Sequence, residues 1–257
     1  MGRPKGKYIL FLVEGDTDKE ILAGPITEMY EKKYSSGENV IIKFCKLIDD
    51  KQSGGDITSK NGVTPQNIEW LIGKLFVSPF LDRNPFVYLR EISEVVQIVD
   101  LDGSFIDSNR IVECVDKDIV YLDDSIKTKN VNSIICRNKQ KADNLRKLIG
   151  INQIEIRYQR NTRKVKYSVY FFSCNMDHYI HGDANLSPQD KRRKAEDFSV
   201  DCSYVPEYFV DKICDSADTI KNKNYDESWN YIMLDNESLK RHTNLNILVE
   251  KLTSSNA

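Results

Sequence analysis

The chain has 257 residues, 40% of them hydrophobic and 30% charged, and a net charge of −2. That apolar content over that length supports a buried core, which excludes a disordered chain. No apolar run nears the roughly 18 residues of a membrane span, and residues 1–7 lack a signal-peptide layout, so a cytoplasmic protein with no membrane partner is expected.

Residues 8–13 (YILFLV) form a short continuous apolar run, the pattern of a central strand covered on both faces. The run stops at Glu14-Gly15-Asp16-Thr17-Asp18. Beyond it Ile21, Leu22, Ile26, Met29 and Tyr30 recur at helical spacing, with Gly24-Pro25 expected to kink or split the helix. A second strand is predicted at 40–48, followed by a polar loop at 49–62. A helix capped by Thr64 then carries Ile68, Leu71, Ile72, Leu75 and Phe76 on one face.

Residues 95–99 read as another buried strand, with Asp100-Leu101-Asp102-Gly103 at its end. Residues 106–132 are polar and read as an insertion, 133–136 as a short strand, 139–149 as a helix and 166–172 as an alternating strand. After 172 the pattern turns helical, at 176–180, 187–198, 206–217 and 236–252. The expected fold is α/β, a mostly parallel sheet flanked by helices over 1–172, with a mainly helical C-terminal region at 173–257 packed on that core.

The six cysteines (Cys45, Cys114, Cys136, Cys174, Cys202, Cys214) lie far apart without a CxxC pair, which leaves buried reduced thiols rather than a zinc knuckle or a disulfide framework. Charge is unevenly spread. Between 137 and 166 ten basic residues stand against Asp143 and Glu155, whereas from 197 to 237 ten acidic residues stand against three lysines. The basic stretch suits a polyanion, and Arg137, Lys139, Lys141, Arg160, Arg163, Lys164 and Lys166 are its candidate phosphate contacts. Tyr158, Tyr167, Tyr170 and Phe171 interleave with it and are candidates to stack on bases, or core residues.

In a parallel sheet, ligands gather beyond the C-terminal strand ends. Asp100 and Asp102, two apart, share one face if the backbone stays extended, and Glu14 with Asp18 would reach the same edge. Four carboxylates gathered there would form an oxygen-rich site for Mg²⁺ or Mn²⁺. Glu14 after an apolar strand, followed by Asp100-Leu101-Asp102 after a later one, resembles the TOPRIM signature of topoisomerases, bacterial primases, small RNA-maturing nucleases and OLD-family nucleases. The resemblance implies a TOPRIM-like sheet, Glu14 as ligand or general acid/base, Asp100 and Asp102 as metal-holding catalytic residues, and Asp18 at a secondary acidic position. Glu14 and Asp100 are 86 residues apart, wider than the compact TOPRIM core usually shows.

Residues 172–181 and 191–198 resemble segments of TOPRIM-like proteins linked to bacterial defence islands. The activity so implied is divalent-metal-dependent hydrolysis of DNA or RNA, transfer RNA included, by an anti-phage effector. The chain has no GxxxxGK[ST] motif, so any ATPase it works with is a separate protein, and self-association stays open. Two rival readings stand beside it. One is a non-catalytic TOPRIM-shaped binding module. The other is a haloacid-dehalogenase-like phosphatase, whose nucleophile and general acid would be Asp100 and Asp102, although that family sets its motif on the first strand with threonine where this chain has Ser104.

Overall fold

The apolar run after Gly6 forms β1 (Lys7–Val13), buried from Tyr8 onward because it has neighbours on both sides. In a computed structural model, which describes residues 6–35, 37, 39–48, 54–116, 118–205, 207–216 and 220–254, β1 lies inside a five-stranded sheet. The others are β2 (Val40–Lys46), β3 (Ile92–Asp100), β7 (Gln153–Tyr158) and β8 (Asn161–Phe172), in the order β2-β1-β3-β8-β7. β2 and β3 both pair parallel to β1, while β7 and β8 form an antiparallel hairpin. The molecule is thus α/β, with a mostly parallel central sheet flanked by helices. Among the described residues no helix is long and apolar enough to cross a membrane.

The chain divides into two compact units, each drawn from separated segments. One takes the residues up to Ile98, Asn144–Val169 and those from Leu252 on; the other takes Val99–Asp143 and Tyr170–Lys251. β3, β8 and the helix α4 (Val131–Ile149) each run from one unit into the other.

In the first unit, α1 (Asp16–Tyr34) runs through Pro25 as one helix, so of the kink or split expected there the split does not occur. Proline removes one hydrogen bond from a helix, and here burial of Ile21, Leu22, Ile26, Met29 and Tyr30 along one face holds the helix through it. The helix expected from Thr64 begins one turn late, as α2 (Ile68–Ile72), widens into a π-helical turn over Gly73–Val77 and resumes as α3 (Ser78–Arg83). Pro79 explains the widening, because it has no N–H for the carbonyl of Leu75 four residues back. The Ile48 N–H donates to that carbonyl instead, at 3.0 Å. Residues 49–53 of the polar loop lie outside the described residues.

In the second unit, 106–132 is not merely a polar insertion but folds into a small sheet, β4 (Ile111–Glu113), β5 (Ile119–Tyr121) and β6 (Ile126–Thr128), ordered β4-β6-β5. Its apolar side joins Ile106, Ile111, Ile126, Ile134, Cys174 and Leu239 in one core cluster. The strand expected at 133–136 is the start of α4. Ile134 and Ile135 suggest a strand locally, but the Asn130 side chain accepts from the Ser133 N–H at 3.1 Å and starts a helix there.

The C-terminal helices are α5 (Met176–His181), α6 (Pro188–Tyr204), α7 (Glu207–Val210), α8 (Tyr225–Ile232) and α9 (Asn246–Thr253). Pro206 and Ala217, ends of an expected helix, lie outside the described residues. The single helix expected over 236–252 is interrupted, because this backbone pairs with the end of β8. Ser173 N–H donates to His242 O, Cys174 N–H to Ser238 O, and Phe172 bridges Thr243. The strand register excludes helical geometry between the 3₁₀ turn Glu237–Leu239 and α9.

Candidate functional site

β3 stays extended only to Asp100; Asp102 (φ 52°) and Gly103 (φ 66°) then adopt left-handed conformations. Asp tolerates this region, and Gly103 is required in it: a Cβ there would stand 2.6 Å from Leu239 Cδ2. Two backbone hydrogen bonds fix the turn, Leu101 N–H to Phe172 O at 2.9 Å and Asp102 N–H to Cys174 O at 2.7 Å. The extended-strand premise for Asp100 and Asp102 therefore fails at its second residue, and tertiary contacts orient Asp102 instead.

Asp100 Oδ1 accepts from the Met176 N–H at the start of α5, at 2.9 Å. Asp102 faces α4, where Arg137, Asn138 and Lys141 fall one and four residues apart and so share a face. Lys141 Nζ lies 2.6 Å from Asp102 Oδ2, and the Tyr121 hydroxyl donates to Oδ1 at 3.0 Å. Arg137 donates through one nitrogen to Tyr121 Oη at 3.1 Å and through the other to the Asp102 carbonyl at 3.2 Å. Asn138 donates to the Gly103 carbonyl at 2.9 Å.

Lys141 has no exposed side-chain surface, whereas Asp102 keeps 21% of its own. Burial pushes the Asp102 carboxyl up, but Lys141 and Arg137, with hydrogen bonds from Lys141 and Tyr121, hold it below the ordinary carboxylate range. The Tyr121 hydroxyl is raised, first by burial and then by the Asp102 charge. Burial, followed by Asp102 and Asp100, drives the Cys174 thiol well above its usual value. Ser104 Oγ, next in the turn, is buried without a hydrogen-bond partner among the described residues.

Glu14 and Asp18 belong to the first unit. Asp18 Oδ2 accepts the Glu14 and Gly15 N–H groups at 3.1 and 2.8 Å, which neutralises open donors at the head of α1. The Glu14 carbonyl accepts from Gly55 N–H at 2.7 Å, and Gly54 (φ 91°) leaves room for it: a Cβ at Gly54 would come within 3.0 Å of that oxygen.

Of the expected phosphate contacts, Arg137 and Lys141 are directed at Asp102 and Tyr121 rather than spread on an open surface. Lys139 pairs with Asp143 at 3.1 Å, and Lys166 with Glu94 at 3.0 Å. Arg160 and Lys164 are exposed on the β7–β8 hairpin, where Arg163 donates to the Arg90 carbonyl. Tyr167 and Tyr170, offered as stacking residues, are buried. Sequence reasoning missed Tyr121 and Asn138. The spacing of Arg137 and Lys141 would have revealed their shared face had α4 been extended back to Val131.

Among the described residues, no group of three or more His, Cys, Asp or Glu is disposed to hold a metal ion. The chemistry of the turn still suits Mg²⁺, which keeps several waters and takes one or two carboxylates together with substrate phosphate. A carboxylate offers about four acceptor positions, and Lys141 and Tyr121 take one each on Asp102. No protein-family model, curated protein or solved structure gives a match to this chain.

Proposed function

We propose that the turn after β3 is the reacting centre of a divalent-metal-dependent nuclease, with Asp100 and Asp102 as the metal-holding carboxylates. The observation that carries this reading is the Asp102–Lys141 pair. A buried ion pair contributes little net stability compared with apolar residues of the same volume, yet this chain keeps a fully buried lysine on an aspartate that retains an exposed face.

Mg²⁺ or Mn²⁺, when bound, would polarise a phosphodiester and lower the pKa of an attacking water. The chain's own residues set that up. Lys141 is a positioning residue that keeps Asp102 anionic and fixed, and Tyr121 restrains its other oxygen. Arg137, half-buried, adds positive charge where the phosphate's non-bridging oxygens gain negative charge. The TOPRIM resemblance of Glu14 and the Asp100-Leu101-Asp102 run supports the same chemistry. Asp100, Asp102 and Arg137 would address only the phosphate, which DNA and RNA share.

The phosphatase reading is weaker for a chemical reason. Its second aspartate must give up a proton as general acid, and Lys141 and Arg137 hold Asp102 as the anion against its burial. The non-catalytic module draws support from the lack of a three-ligand group among the described residues. Incubating the protein with pooled DNA and RNA, in Mg²⁺ or in EDTA, and mapping the ends separates the readings. Metal-dependent ends support the nuclease; an intact pool in both conditions supports the module.

A further inference from the structure

Between α3 and β3, and within the first unit, a stretch of chain holds two large aromatic side chains in water: Phe86 is 72% exposed and Tyr88 54%. Tyr88 is not on a loose loop. Val87 and Leu89 on either side are buried, the Tyr88 N–H donates to the Glu91 carboxylate at 2.8 Å, and Leu89–Glu91 form a 3₁₀ turn. The ring is thus a platform carried on held backbone, and the Arg90 guanidinium lies over it, 4.5 Å from its centroid.

The tip of the β7–β8 hairpin faces this platform across a cleft of about 570 Å³. Tyr158 and Arg163 form that wall, the tyrosine fixed by a 2.8 Å hydrogen bond to Asp82 and the arginine by the Arg90 carbonyl. The cleft lies within the size range of small-molecule sites. Arg90 and Arg163 line it against one acid, Asp82, whose carboxylate accepts the Tyr158 bond; Arg83 and Arg160 are exposed close by in sequence.

We propose that this cleft binds unpaired nucleotides of a single-stranded nucleic acid, with a base stacked on Tyr88 and the flanking phosphates against Arg90, Arg160 and Arg163. Exposed, rigid aromatic faces take bases, which must be unpaired to offer theirs, and the arginines supply the charge that tracks a backbone. An acidic peptide satisfies the arginines but not the aromatic platform. The inference shares with the proposed function only that the ligand is nucleic acid, and it concerns binding rather than cleavage.

The test is fluorescence anisotropy of a labelled 12-nucleotide single strand, as RNA and as DNA, on the full chain in EDTA, so that metal-dependent cleavage has no bearing on the result. Tyr88→Ala is expected to weaken binding about tenfold and Tyr88→Phe less than about twofold, with an abasic strand of equal length unaffected by either. Arg160→Ala should flatten the dependence of log affinity on log salt by about 0.7. A Tyr88→Ala protein that binds like wild type overturns the proposal, as does a duplex bound as tightly as the single strand or polyglutamate competing as well as the unlabelled strand. The RNA and DNA arms identify the preferred sugar.

Discussion

Lys141 Nζ lies 2.6 Å from Asp102 Oδ2 with its side chain wholly out of water, so the end of β3 and the middle of α4 are joined by a charge pair that neither partner can leave cheaply. Removing one member strands the other's charge, which costs about 3 kcal/mol or more. Lys141→Met should therefore lower the urea midpoint substantially. Lys141→Met combined with Asp102→Asn, which removes the charge and tolerates the left-handed backbone, should recover part of the loss, giving a coupling energy above about 1 kcal/mol in a double-mutant cycle. Additive single effects would contradict the pairing.

Acid should expose the same pair. Because the folded Asp102 carboxyl is held below its unfolded value of about 3.9, its contribution is complete above that pH and is lost as pH falls through the folded value. Wild-type stability, followed by urea unfolding from pH 7 to pH 2.5, should carry an acid-side loss that Asp102→Asn lacks in part. Parallel curves for the two proteins would rule this out.

Thiol chemistry gives an independent check on packing. Burial pushes Cys45 and Cys214 up to about 12 and Cys202 up to about 11, leaving almost no thiolate at pH 8, and Cys174 is buried as well. Cys136 is exposed. An aromatic disulfide reagent at pH 8 should label Cys136 first in the native protein, and Cys136→Ser should remove the fast phase. Cys174 and Cys202, which are buried, should react only on unfolding, and Cys45 and Cys214, partly exposed but with raised thiols, more slowly than Cys136; rapid labelling of Cys174 or Cys202 would show that its burial is wrong.

The sheet was legible where pattern and burial coincide. Residues 8–13 are apolar throughout, and 95–99 are apolar apart from the buried Gln97, whose side-chain oxygen accepts from Tyr167 at 2.8 Å, because β1 and β3 are covered on both faces. Where a distant carbonyl or side chain decides, local pattern failed. Ile48 takes the Leu75 carbonyl and permits the π turn; the backbone at 238–243 pairs with 171–174 and interrupts an apparent helix. α8 was legible but overlooked: Asn224 and Glu227 form a capping box, a signal present in four residues of sequence.

For the site, Asp100 and Asp102 could be read from their place at a strand end. The left-handed turn, the 39-residue reach to Lys141 and the role of Tyr121 inside a polar insertion leave no local trace. Asp18 could be read as acidic but not as the group that closes the head of α1.

The most direct test of the proposed centre is cleavage by purified Asp100→Asn, Asp102→Asn and wild-type proteins, each checked for native circular dichroism, on one end-labelled RNA and one end-labelled DNA in Mg²⁺. Wild type should cleave in a way that EDTA abolishes, with a loss of at least about a hundredfold in each variant, as expected when a charge-stabilising group is removed from a reacting centre. Cleavage by both variants at the wild-type rate would contradict the proposed centre.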